Sequence, residues 1–120
     1  MKDIKKITVG CIGVGTMGGA LVRAMTKCID SKNIYVSSAH FEKAQSFAYE
    51  IGCNACEANK DVAAAADYLF LGVKPVHVTQ VLSEIKPALK KGTVIISMAA
   101  GVTLEKLQTA AAGFSVIRIM

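Results

Sequence analysis

The residues with the clearest chemical potential in this chain are glycines. Gly13-Val14-Gly15-Thr16-Met17-Gly18 has the spacing G-x-G-x-x-G, after an apolar run from Ile7 to Ile12 and before helical spacing through Leu21, Met25 and Cys28. In that setting the first glycine permits a tight turn, the second lets backbone approach a pyrophosphate, and the third seats the helix against the strand. N–H groups at the helix start then face the anion, and the helix dipole adds partial positive charge. The chemistry is recognition of a dinucleotide, and Gly13, Gly15, Thr16, Met17 and Gly18 are the expected contacts. A glycine loop of this kind also serves S-adenosylmethionine enzymes, and a tight turn without a ligand is the plainest alternative.

An NAD-linked protein usually places an acid at the end of the second strand, about 20 residues past the loop, to bind ribose hydroxyls. The corresponding stretch here is Val36-Ser37-Ser38-Ala39-His40, which offers no carboxylate. An acid would repel the additional phosphate of NADP, whereas the Ser37 and Ser38 hydroxyls can donate to it and His40 or Lys43 can add charge. NADP(H) is therefore favoured, with NAD(H) possible. Ordinary strand-end turns and a helix cap at Ser38 would account for the same serines.

Two further blocks fall where open α/β sheets bind ligands, outside the carboxyl ends of strands. In Gly72-Val73-Lys74-Pro75, the proline fixes the chain direction and can hold backbone groups of Val73 and Lys74 against a ribose or nicotinamide. In Ser97-Met98-Ala99-Ala100-Gly101, the small residues Ala99, Ala100 and Gly101 leave room for a flat ring, or for close strand–helix packing. Asn59 stands where it can cap a helix through Val62 and Ala65. Cys53 and Cys56 have the C-x-x-C spacing of redox and metal sites, but Cys11, Cys28, His40 and His77 do not complete a ligand set. No metal is expected, and both cysteines read as small residues on a short third strand.

These residues need a frame to position them. Short apolar blocks at Ile7 to Ile12, Ile34 to Val36, Tyr68 to Val73, Val94 to Ile96 and Val116 to Met120 alternate with helical stretches. The helices run over Met17 to Lys27, Glu42 to Ile51, Asn59 to Ala65, Val76 to Leu82 and beyond, and Leu104 to Ala111. Strands apolar on both faces, each followed by a helix, predict a Rossmann-type doubly wound α/β fold: a mainly parallel sheet with helices on both faces. Gly52 should cap the second helix, and Ala63-Ala64-Ala65-Ala66 predict a helix packed close to its neighbours.

Bulk composition limits the remaining classes. With 120 residues the chain is one domain. A hydrophobic share of 52% in short blocks, with no run of 18, excludes a membrane span. The net charge of +5 is spread over dispersed lysines without a recognition motif, which excludes nucleic acid as the main partner. The start carries no convincing export signal, so a cytoplasmic address with free thiols is expected.

The blocks at residues 13–18, 72–75, 97–104 and 116–120, in this order and spacing, resemble pyrroline-5-carboxylate reductase over nearly the whole chain. The combination of the second and third blocks carries most of that resemblance. It implies hydride transfer from a reduced nicotinamide to the C=N carbon of a cyclic imine, giving proline, with Asn59 over the adenosine half of the cofactor and Val73, Lys74 and Pro75 towards the nicotinamide. Members of that family often carry Asp or Asn followed by Arg where this chain has Ser38 and Ala39. They also continue into a helical domain that forms the dimer and completes the substrate site. The expectation is a cofactor-binding domain over residues 1–120 with little activity alone. Two other readings stay open: the cofactor domain of another NADP-linked reductase, such as a hydroxyacid dehydrogenase or an F420-linked enzyme, and a nucleotide-sensing regulatory module. The Val73-Lys74-Pro75 and Ala99-Ala100-Gly101 blocks weigh against the first of these.

Overall fold

The computed structural model describes residues 7–119. Six strands, β1 (Val9–Ile12), β2 (Ile34–Ser37), β3 (Asn54–Ala55), β4 (Tyr68–Leu71), β5 (Val94–Ser97) and β6 (Ser115–Arg118), pair in the order β3-β2-β1-β4-β5-β6. Every pairing is parallel, so the expected mainly parallel sheet is wholly so. The strand order reverses between β1 and β4, and this switch point opens the crevice where doubly wound sheets bind ligands.

Five helices connect the strands: α1 (Thr16–Met25), α2 (Phe41–Ile51), α3 (Asn59–Ala65), α4 (Val78–Ile85) and α5 (Leu104–Ala110). The pleat sends successive strand residues to opposite faces. Cys11, Val36 and Phe70 accordingly meet Val22 of α1 and Ala44 and Ala48 of α2 on one face. On the other face Ile12, Leu69, Leu71 and Ile95 meet α3, α4 and α5. In α4 the buried residues Val78, Val81, Leu82 and Ile85 recur at helical spacing, which leaves the flanks of that stripe to face other things.

The alanine-rich helix lies close to the sheet for a reason visible in β1. A Cβ built on Gly10 would stand 2.6 Å from Val62 Cγ1 and 3.0 Å from Ala66 Cβ. Gly10 and the buried Ala63 and Ala66 together set the approach of α3. Gly52 caps α2 with φ +86°, a left-handed conformation that favours glycine.

Element ends differ from the sequence expectation in a few places. Strand β4 stops at Leu71 because Gly72 begins the turn, and Pro75 opens a short 3-10 turn, Pro75–His77, before α4. Ser38 does not cap α2, whose N-cap is His40, and α3 is capped by Ala58 with Asn59 in its first turn. The last strand ends at Arg118, and Met120 lies outside the described residues. Among the described residues no helix is long and apolar enough to cross a membrane.

Candidate dinucleotide site

The glycine loop joins β1 to α1 at the switch point, and its carbonyl at Gly13 organises the surroundings. Gly13 has φ +93°, and its N–H donates to Ser37 O at 2.9 Å, tying the loop to the end of β2. A Cβ on Gly18 would lie 2.1 Å from Gly13 O, and one on Gly72 would lie 2.5 Å from the same atom. Both glycines are therefore required by the backbone crossing of β1, α1 and β4. Beneath the loop, the buried Cys11 thiol donates to Gly13 O at 3.6 Å. Burial, and secondarily the nearby Cys53, push the Cys11 thiol up to about 12, so it stays protonated.

Gly15 is different. It is exposed, its φ of −71° is open to any residue, and a Cβ there would meet no atom within 4 Å. As the N-cap of α1 it supplies no side-chain acceptor, and the first turn of α1 contains no acid. First-turn N–H groups have no intrahelical acceptors, so this helix start presents donors and positive potential to open space. Met17 stands exposed beside it. An anionic diphosphate fits this cradle on both shape and charge.

The two serines at the end of β2 part company. Ser37 is wholly buried, and its Oγ donates to Asn59 Oδ1 at 2.7 Å. That hydroxyl links β2 to the start of α3 instead of facing the crevice. Ser38 and Ala39 line a cleft of about 310 Å³ together with Ile12, Gly13, Asn59, Val73, His77, Gln80, Val81 and Glu84. A volume near the lower end of the ~300–1,000 Å³ usual for ligand sites suits one nucleoside rather than a whole dinucleotide. His40 and Lys43 are exposed at the start of α2. Of the cleft residues, Gln80 and Glu84 of α4 carry no signal in the sequence, and His77, in the turn before α4, is weighed there only as a metal ligand.

Beyond the switch point, Lys74 and Pro75 are exposed, and the Lys74 carbonyl accepts from His77 N–H at 2.9 Å. Met98 Cε lies 3.2 Å from the position of a Cβ on Gly72. Of the small residues after β5, Ala99 is buried in the core, whereas Ala100 and Gly101 are exposed. Ser97 Oγ accepts from Ala99 N–H at 3.3 Å, and Arg118 Nη1 donates to Val102 O at 3.4 Å, fixing this turn from both sides.

Cys53 and Cys56 flank β3, where a separation of three places them on opposite faces; Cys53 packs against the cluster that contains Cys11, and Cys56 against the one that contains Val62. Three extended residues span about 10 Å, beyond the reach of a disulfide. The redox reading of the C-x-x-C spacing fails on this geometry. Among the described residues no group of three or more His, Cys, Asp or Glu could hold a metal ion.

Strand order, glycine crossing and uncapped helix start define an α/β domain of the Rossmann class. The family described as "NADP oxidoreductase coenzyme F420-dependent" matches residues 8–101, and the chain belongs to it. It is 36% identical over 104 residues to pyrroline-5-carboxylate reductase of Escherichia coli (strain K12), covering 85% of this chain and 39% of that protein. A pyrroline-5-carboxylate reductase structure from Coxiella burnetii superposes with a TM-score of 0.86 at 27% identity, over 95% of this chain and 43% of the other. The fold is also that of the Plasmodium falciparum pyrroline carboxylate reductase with NADP bound, with a TM-score of 0.84 at 24% identity, over 98% and 43% of the two chains. The chain thus spans 39–43% of the length of these relatives.

Proposed function

We propose that this chain is the cofactor-binding part of a pyrroline-5-carboxylate reductase, holding NADP(H) for reduction of the cyclic imine 1-pyrroline-5-carboxylate to proline. The observation that carries the reading is the Gly13–Gly18–Gly72 crossing beside the open, uncapped start of α1. Identity of 36% to the Escherichia coli enzyme supports the choice of substrate.

In this reading, backbone N–H groups around Gly15, Thr16, Met17 and Gly18 hold the pyrophosphate, and the crossing keeps them in place. Gly13, Ser38 and Asn59 border the adenosine ribose. Asn59 is held there by Ser37, whose part is positioning. Absence of an acid at the end of β2 favours the phosphorylated cofactor, with Ser38, His40 and Lys43 placed to receive its 2′-phosphate. Val73, Lys74 and Pro75 border the nicotinamide end, with Ala100 and Gly101 leaving space for the ring.

The reduced nicotinamide, when bound, supplies a hydride, and a protonated imine carbon is electrophilic enough to accept it. This chain contributes orientation and exclusion of water on one side of the reacting pair. The remaining length of the relatives is assigned the substrate site and the homo-oligomer contacts, and the whole enzyme is placed in the cytoplasm. The test is reductase activity: joined to the C-terminal part of a relative, the chain should oxidise NADPH on addition of 1-pyrroline-5-carboxylate. A chimaera that binds NADPH but gives no such turnover would overturn the substrate assignment.

A further inference from the structure

The contact between α1 and α2 holds a cluster of charged and aromatic groups that the dinucleotide contacts leave unused. Arg23 of α1 donates from Nη1 to Glu50 Oε1 at 3.1 Å and from Nη2 to Glu50 Oε2 at 2.9 Å, a two-point fork across the helices. The same guanidinium lies over the Phe47 ring, with Cζ 5.1 Å from its centroid. One turn earlier in α1, a Cβ on Gly19 would stand 3.3 Å from Phe47 Cε2, so the ring edge closes on Gly19 while its face carries the guanidinium. Gly19 N–H in turn donates to Gly15 O at 2.7 Å, closing the first turn of α1. Phe47 therefore bears on the turn that offers its N–H groups to the diphosphate.

The two helices are held differently. The glycine crossing fixes α1 through Gly18, whereas the buried residues of α2 are two alanines, Ala44 and Ala48, whose methyl groups make a shallow seat on the sheet. The contact among Arg23, Phe47 and Glu50 accordingly sets where α2 lies against α1. His40 and Lys43 precede Phe47 by seven and four residues, about 10 and 6 Å along the helix axis, so a shift of α2 moves both. Resting on the reading above, in which the start of α2 receives the 2′-phosphate, we propose that Arg23 and Glu50 are positioning residues for cofactor choice. Their fork holds the start of α2 at the distance from the glycine loop at which one ligand meets both the diphosphate donors and the 2′-phosphate groups. Arg23 lies eight residues beyond Gly15, about 12 Å along α1, so it acts through α2 and not on the phosphates.

The experiment is calorimetric titration of the chain, of Arg23→Ala, of Glu50→Ala and of the double variant with NADPH and with NADH, which differ only at the 2′-phosphate. Both side chains are exposed and stand on helices, so alanine leaves core and helices intact. Each single variant should lose about three-fold in the ratio of NADPH to NADH affinity with NADH binding unchanged, and the double variant should lose no more than either single. Glu50→Ala is the decisive arm. Deleting an acid by bulk electrostatics favours the more highly charged NADPH, so a fall in that preference has the sign of lost positioning. An unchanged or raised ratio in Glu50→Ala, an equal loss for both dinucleotides, or losses that add in the double variant overturn the assignment and leave the dinucleotide site standing. A wild type that binds NADH the tighter overturns the 2′-phosphate reading and this inference with it, and one that binds neither overturns the dinucleotide site as well.

Discussion

Two glycines of one loop should respond to substitution in opposite ways. At Gly15 the backbone has φ −71°, and an added Cβ meets nothing within 4 Å, so Gly15→Val projects its side chain into the space assigned to the pyrophosphate. Replacing glycine by valine at a helix N-cap costs about 1 kcal/mol of stability. The lost ligand contacts are charge-assisted hydrogen bonds worth about 1.5–3 kcal/mol each. Losing two of them weakens NADPH binding by roughly 100-fold or more. At Gly18 the added Cβ would lie 2.1 Å from Gly13 O, a backbone atom locked by β2 and β4. Gly18→Ala therefore loses about 3 kcal/mol through overpacking, roughly 10 °C in Tm for a domain of this size. Thermal unfolding followed by circular dichroism, paired with calorimetric titration, separates the two effects. Gly15→Val should melt within about 4 °C of the wild type yet fail to bind. Unaltered NADPH affinity in Gly15→Val, or a Tm loss as large as that of Gly18→Ala, would refute this division of roles.

Other expectations follow from contacts away from the loop. Ser37→Ala removes the donor to Asn59 Oδ1 and should cost about 1–3 kcal/mol in urea unfolding, with a weaker NADPH Kd because Asn59 is released. Gly10→Ala drives a methyl into Val62 Cγ1 at 2.6 Å and should lower the unfolding midpoint by an amount comparable to Gly18→Ala, without a loop-specific loss of affinity. The Cys11 thiol is raised from 9.0 to about 12, so the folded chain holds this proton more tightly than the unfolded one. Its stabilising effect is complete below pH 9 and is lost as pH rises towards 12, by up to about 1.4 kcal/mol per pH unit. Cys11→Ala should flatten that alkaline limb of the stability profile, and an unchanged limb would contradict the assignment.

Much of this architecture is legible in the residues because each signal is local. Alternating Val- and Ile-rich blocks with helical stretches specify the parallel sheet, and G-x-G-x-x-G between the first strand and helix specifies the loop. What was not legible depends on register and packing across the sheet. Ser37 and Ser38 are chemically identical in sequence, but pairing of Ser37 with Ile12 buries the one beneath α3 and leaves the other at the cleft. Asn59 reads as a cap because the boundary of α3 shifts by one residue, whereas its side chain turns back to Ser37. The flank of α4 is hidden for another reason. Its periodicity exposes the buried stripe Val78, Val81, Leu82 and Ile85, and nothing in the sequence distinguishes the polar flank that borders a cleft from one that borders solvent.

The most direct test of the central claim is calorimetric titration of the unmodified chain with NADPH and, separately, NADH. Saturable binding of both is expected, with NADPH the tighter, because the end of β2 offers hydroxyl and basic groups and no acid. Absence of saturable NADPH binding would contradict the dinucleotide site itself, and NADH binding the tighter would contradict the assignment of Ser38, His40 and Lys43 to a 2′-phosphate.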